Sequence, residues 1–275
     1  MRIAALITCH NRKKQTLACL DALFENTLPE GFFLDVYLVD DGSSDGTDAA
    51  VREQFTNVEI LHGDGNLYWN RGMHLAFARA MGIGFDCYLW LNDDTVLYPT
   101  AIKSLVRTWQ EKQGNGGRGD IVVGSTQDPH TGALTYGGMV ANGRLLPYRS
   151  LVEPQSIPIE CQTMNGNCVL VSHAVAQVVG NLEPRFVHAM GDVDYGLRAK
   201  QAGFNLWIAP YFVGTCCKNS INGTYKDQAL PLRIRWQKMM QPNGLPPASW
   251  LLFTYRHGGI LWPAFFVWPY LRVLF

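Results

Sequence analysis

Along the chain, short apolar runs of strand length alternate with stretches in which apolar positions recur at helical spacing. RIAALIT (Arg2 to Thr8) reads as a buried strand, after which Asn11 can cap a helix carrying Leu17, Leu20, Leu23 and Phe24 on one face. FFLDVYLVD (Phe32 to Asp40) predicts a second strand, DGSSDGT a turn, and Thr47 to Phe55 a short helix. VEILHGD supplies a third strand, Trp69, Met73, Phe77 and Ala80 mark a helical face, and DCYLWL is a fourth strand. Pro99 suits a first helical turn, with Ile102, Leu105, Val106 and Trp109 on one side. Strands alternating with helices imply right-handed crossovers and a mostly parallel sheet.

GNGGRGD (Gly114 to Asp120) interrupts this rhythm. Beyond it, IVVGST predicts a strand, and ALTYGGMV with ANG as a turn before RLLPYRS predicts a hairpin-like excursion. NCVLVS is a further buried strand leading into a helix from His173 to Val179, and GDVDYGLRAKQAG is a helix with Gly203 past its end, followed by the strand NLWIAP. No internal repeat is present, which excludes a solenoid. From Tyr225 the chain carries basic helical patterns (Arg233, Arg235, Lys238) and then the apolar stretch Gly258 to Phe275, which two prolines and Arg272 interrupt. That stretch falls short of the ~20 clean residues of a spanning helix, so it is expected either to lie in a membrane interface or to pack on the domain or a second subunit.

The bulk numbers narrow the function classes. With 275 residues the chain can bury a large core, and 23 basic against 23 acidic residues leave no basic field for nucleic acid and no acidic excess for disorder. Seven scattered cysteines, mostly within apolar runs, suit reduced thiols in a cytoplasmic compartment, and Cys216-Cys217 lacks the spacer of a zinc or redox motif. MRIAALITCHNRKK has too short an apolar stretch for a signal peptide.

Polar residues gather where the predicted strands end: Thr8-Cys9-His10-Asn11, Asp40-Asp41, Asp64 with Asn66, and Asn92-Asp93-Asp94. In open α/β sheets ligands bind beyond the carboxyl ends of the strands. Adjacent carboxylates both ionise only where a cation or donors offset their repulsion, and hard oxygen ligands favour Mg²⁺ or Mn²⁺ shared with a substrate diphosphate. Each motif taken singly is also what a strand end and helix cap would use; their shared location argues for a metal-diphosphate site.

TCHNR, VDDGSSDGT, GDGNLYWNRGMHLA, LNDDT and GDVDYGLRAKQAG occur in the order and approximate spacing of family 2 glycosyltransferases of the GT-A fold, which the chain resembles over about residues 2–220. The resemblance implies a Rossmann-like α/β fold, a mostly parallel mixed sheet flanked by helices, here with a C-terminal helical apolar extension. It divides the chain into a catalytic domain, 1–220, with a nucleotide-sugar half near 1–112 and an acceptor half near 121–220, and an extension, 221–275. It implies inverting transfer of a hexosyl or deoxyhexosyl group from a nucleoside-diphosphate sugar, with Mn²⁺ or Mg²⁺, to a glycan or lipid-linked acceptor in polysaccharide synthesis, and the basic helix with the Trp-rich end (Trp250, Trp262, Trp268) suits work at the cytoplasmic face of a membrane.

Carried over residue by residue, Thr8 and Asp41 contact base and ribose, Asp40 supports them, Asn11, Arg12, Asn66 and Arg71 complete the donor side, Asp93 faces ribose or sugar, and Asp94 ligates the metal. Asp192 matches the acceptor-side base, with Asp194 as the other carboxylate able to serve and Asn165, Gly166 and His188 as acceptor-side residues. The chain departs from the family's pattern twice. Gly191 stands where a Glu is usual, and Cys216, Cys217 and Lys218 stand where many relatives carry a metal-reaching His. These departures support an alternative, a catalytically silent nucleotide-sugar or glycan binder. A nucleotidyltransferase would want a glycine-bearing loop after the first strand, which TCHNRKK lacks.

Overall fold

The computed structural model describes residues 1–114, 119–141 and 149–275. The first half runs β1 (Arg2–Cys9), α1 (Lys13–Phe24), β2 (Phe33–Asp40), α2 (Thr47–Gln54), β3 (Val58–His62), α3 (Tyr68–Ile83), β4 (Cys87–Leu91), β5 (Val96–Leu97) and α4 (Ala101–Gly114). It continues as β6 (Ile121–Gln127), β7 (Leu134–Tyr136), β8 (Gly138–Ala141), β9 (Arg149–Leu151), β10 (Ile159–Cys161), β11 (Thr163–Met164) and β12 (Cys168–Ser172). Then come α5 (His173–Val179), α6 (Gly191–Gln201), β13 (Leu206–Thr215), α7 (Leu232–Met239), α8 (Pro247–His257), a single 3-10 turn (Gly259–Leu261) and α9 (Trp262–Arg272).

One mixed sheet runs in the order β10-β13-β6-β12-β4-β1-β2-β3, with β5 on β13 and β7 on β6. β3, β2, β1 and β4 are parallel neighbours, as their crossover helices require. β12 then enters antiparallel between β4 and β6, while β13 is again parallel to β6. The central strands are apolar throughout because helices cover both faces: Ile3, Ala5 and Ile7 pack toward α1 and α4, Ala4 and Leu6 toward α3 and α6. Phe77 of α3, Trp90 of β4 and Tyr195 of α6 meet edge-on or tilted, with centroids 4.8–6.1 Å apart, so one aromatic cluster ties the two halves of the sheet together under its carboxyl end.

Several expectations need correction. Asn11 does not cap α1: the helix begins after Arg12, and the Asp45 carboxylate accepts the Lys13 N–H at 2.9 Å. Asn11 instead accepts the Ser44 N–H at 2.7 Å, lacing the β1 end to the loop after β2. Pro99 lies outside α4, behind the short β5. ALTYGGMV divides between two sheets, β7 joining β6 and β8 joining a three-stranded sheet with β9 and β11. β8 and β9 do pair antiparallel, whereas the ANG turn lies outside the described residues beyond Ala141. NLWIAP continues past Pro210 to Thr215. All seven cysteines are free thiols. Among the described residues no helix is long and apolar enough to cross a membrane.

Candidate active site

Because β1 and β4 are parallel neighbours, their carboxyl ends present Thr8 to Arg12 beside Asn92 to Asp94. Arg12 spans both carboxylates, Nη1 donating to Asp93 Oδ1 at 3.1 Å and Nη2 to Asp94 Oδ2 at 2.6 Å. Asp93 Oδ2 is buried and has no partner among the described residues. Burial drives the Asp93 pKa up to about 7, against the pull of Arg12 and with a further push from Asp94. Cys216 lies 3.4 Å from Asp94 Oδ1. Burial, reinforced by Asp94, pushes this thiol up to about 12, so it stays protonated and donates to the carboxylate.

Asp41 is buried at the end of β2 and anchors the loop before α3. Its Oδ1 accepts the Gly65 N–H at 2.8 Å and its Oδ2 those of Leu67 and Tyr68 at 2.9 and 3.0 Å. That loop brings Trp69 to the site, where its indole N–H donates to Asn92 Oδ1 at 2.6 Å. The sequence pattern set Trp69 with Met73 and Phe77 on one helix face; only the latter two are fully buried.

The facing wall is the first turn of α6. Asp192 Oδ2 accepts the Gly166 N–H at 2.9 Å and Oδ1 the Val193 N–H at 2.8 Å. Burial raises its pKa above the ordinary carboxylate value, although both N–H groups favour the charged form. Gly166 is required by close approach, since a Cβ there would lie 2.4 Å from the Trp69 ring. Gly191 has a similar reason: a Cβ would lie 1.6 Å from Asn70 Oδ1, and Asn70 is buried with its amide donating to the Glu183 and Phe186 carbonyls. The space that any larger side chain at 191 would take is already filled by a neighbouring amide.

Thr8, Arg12, Asp41, Asp93, Asp94, Asn165, Gly166, His188 and Asp192 all line one cleft of about 430 Å³. The other candidates are turned elsewhere. Asp40 accepts the Ser43 N–H, Asn66 folds onto Asp64, and Arg71 donates to the Pro184 carbonyl at 3.0 Å. Asp194 is buried on the far side of α6 in ion pairs with Arg198 and Arg256 and a contact with His257. Tyr68, Tyr136, Met190 and Asn219 line the cleft without having been singled out in the sequence. Tyr68 and Met190 hold left-handed backbone at φ 54° and 75°, strain that local sequence does not announce but that gathers at functional sites.

The donor set suits a hard divalent cation: an orphaned buried oxygen of Asp93 next to the Asp94 carboxylate. A protonated thiol adds little to it. Among the described residues no three His, Cys, Asp or Glu side chains gather as a metal cage, so an ion here would draw its remaining ligands from water and substrate.

Known proteins resemble this chain in sequence and in fold. Two N-acetylglucosaminyl-diphospho-decaprenol L-rhamnosyltransferases of Mycobacterium tuberculosis, from strains CDC 1551 / Oshkosh and ATCC 25618 / H37Rv, are each 27% identical over 198 residues, covering 64% of this chain and 63% of theirs. The chain thus spans less than two thirds of the length of these curated relatives. Among solved structures, S. aureus TarS aligns with 94% of this chain and 44% of its own at a TM-score of 0.58 and 13% identity. TarS 1-349 in complex with UDP aligns with 93% of this chain and 70% of its own at the same TM-score and identity. These structures share the GT-A α/β fold with this chain, and at that identity the likeness is one of fold. The profile described as Glycosyl transferase family 2 matches residues 4–171, more than half of the sequence, and the chain belongs to that family.

Proposed function

We propose that this chain moves a hexosyl or deoxyhexosyl group from a nucleoside-diphosphate sugar to a hydroxyl of a glycan or lipid-linked acceptor, inverting the anomeric carbon. A single cleft lined by Asp93 and Asp94 on one wall and Asp192 on the other carries this reading. The acceptor oxygen bonds to the anomeric carbon, its proton passes to the Asp192 carboxylate, and the electron pair of the broken bond leaves with the nucleoside diphosphate. Burial makes Asp192 a stronger base than an exposed aspartate. Asp93 and Asp94 would hold Mg²⁺ or Mn²⁺, which supplies positive charge for the departing diphosphate. Arg12 already offers a cation at that place, and its planar fork fits phosphate oxygens as well as carboxylates.

The mycobacterial relatives are named for L-rhamnosyl transfer to N-acetylglucosaminyl-diphospho-decaprenol. By that likeness, a rhamnosyl donor and a lipid-diphosphate-linked glycan acceptor, used at the cytoplasmic face of a membrane in cell-surface polysaccharide synthesis, are the substrates to test first. Residues 1–220 would form the catalytic unit and 221–275 its extension.

The test is a thermal-shift screen of nucleoside-diphosphate sugars with and without Mn²⁺, on the native chain and on Asp94→Ala, followed by an assay for released nucleoside diphosphate with lipid-linked acceptors. The expected result is a donor shift that needs both Mn²⁺ and Asp94, and turnover that needs Asp192. Shifts indifferent to both would overturn the donor site. Metal-dependent donor binding without release for any acceptor would favour the silent binder.

A further inference from the structure

We propose that α7, α8 and α9 form a docking site for an anionic phospholipid bilayer, with a lipid phosphate seated in a cationic cavity between the helices. From Gln228 to Phe275 the chain contains no Asp or Glu, yet carries Arg233, Arg235, Lys238, Arg256 and Arg272. Arg256 pairs with Glu183 and Asp194; among the described residues the other four form no salt bridge. A cavity of about 640 Å³ opens among these helices, with Lys226, Arg235 and Arg272 as its charges and Trp250, Trp268 and Phe275 among its walls. Its chemistry combines positive charge with aromatic surface, and no Asp or Glu side chain lines it.

The surroundings of the cavity point to a bilayer rather than to free phosphate. Of 22 exposed large apolar residues among those described, 12 fall after Gln228, with Ile260 95% and Phe275 93% exposed at the extremes. Soluble surfaces rarely gather apolar side chains so densely without a partner. α9 has 11 residues and so is roughly 16 Å long, about half the ~30 Å hydrocarbon core, and Pro269 lies inside it. Such a helix lies in the interface, its apolar side toward the acyl chains and its cations at headgroup level. α8 joins this surface to the catalytic body: Phe253 is buried against Phe186, and Arg256 and His257 grip Asp194 on α6, two residues beyond Asp192. Docking itself stands independently of sugar transfer; its use, holding the acceptor side of the cleft toward lipid-borne substrates, rests on the function proposed above.

The test is co-sedimentation of the full chain with vesicles of phosphatidylcholine alone and of phosphatidylcholine with phosphatidylglycerol, at low and high salt. Binding should require phosphatidylglycerol and weaken with salt. R235Q/R272Q should lose about 30-fold in vesicle affinity, each cation near an anionic surface contributing roughly fivefold. I260E, at an exposed position in the turn between α8 and α9, should also weaken binding and covers the case in which the double variant fails to fold. The metal-dependent donor shift should persist in both variants. Equal binding to neutral vesicles, no binding to either, binding indifferent to both variants, or reversible dimerisation that buries this face would each overturn the proposal. Vesicle binding with no nucleoside diphosphate release would leave the docking site standing and remove only the transfer chemistry.

Discussion

At the scale of single residues, the cleft turns on how burial and close approach set each side chain's task. Asp192 titrates above the ordinary carboxylate value because burial outweighs its two backbone donors. A base must be ionised to act, so activity should rise with pH through this raised value, placing the acid limb of kcat/KM above the usual aspartate range. Asp192→Asn should lower kcat by roughly 10³-fold and abolish that limb while the donor thermal shift survives. Gly191 makes a different prediction. Gly191→Ala should lower stability by about 2 kcal/mol, read from denaturant melts, because its Cβ meets Asn70 Oδ1. Asn70→Ala combined with it should recover part of the loss, a coupling that independent sites would not show. Much of the site was legible as polar residues after apolar runs. The Arg12 bridge was not, since its partners lie 81 and 82 residues away and only the parallel β1–β4 pairing joins them.

At the scale of elements, α6 shows what helical spacing could have settled. Asp192 and Asp194 are two apart and so face opposite sides, the first into the cleft and the second into the body. Asp194 is fully buried, accepting from Arg198 at 2.7 Å, Arg256 at 3.0 Å and His257 at 2.9 Å. Burial alone would raise its pKa, but these three partners hold it below 3.8. The unfolded chain therefore takes up the proton first. The stabilisation is complete about one pH unit above the ordinary aspartate value and is lost as pH falls through the lower folded value. Asp194→Ala should cost about 3 kcal/mol by leaving the Arg198 guanidinium without a carboxylate and Arg256 with Glu183 alone, and thermal melts should show a flatter acid dependence. The long strands and helices follow from periodicity. β5, β10 and β11 do not, because two or three residues carry no readable alternation and are fixed by distant partners.

At the scale of the whole molecule, the two halves drawn from the sequence share one sheet and one aromatic floor. β12 hydrogen-bonds β4 on one side and β6 on the other. A fragment of residues 1–166 should thus leave β4 with an open edge and β6 without β12 or β13, and should precipitate or melt without cooperativity; a soluble fragment with a sharp calorimetric transition would contradict this. That inserted strand also matters while the protein is being made. At roughly 5–20 residues per second, the ribosome needs several seconds to travel from Leu91 to Cys168, and until then the nascent chain carries an uncovered hydrophobic margin that a chaperone would have to shield.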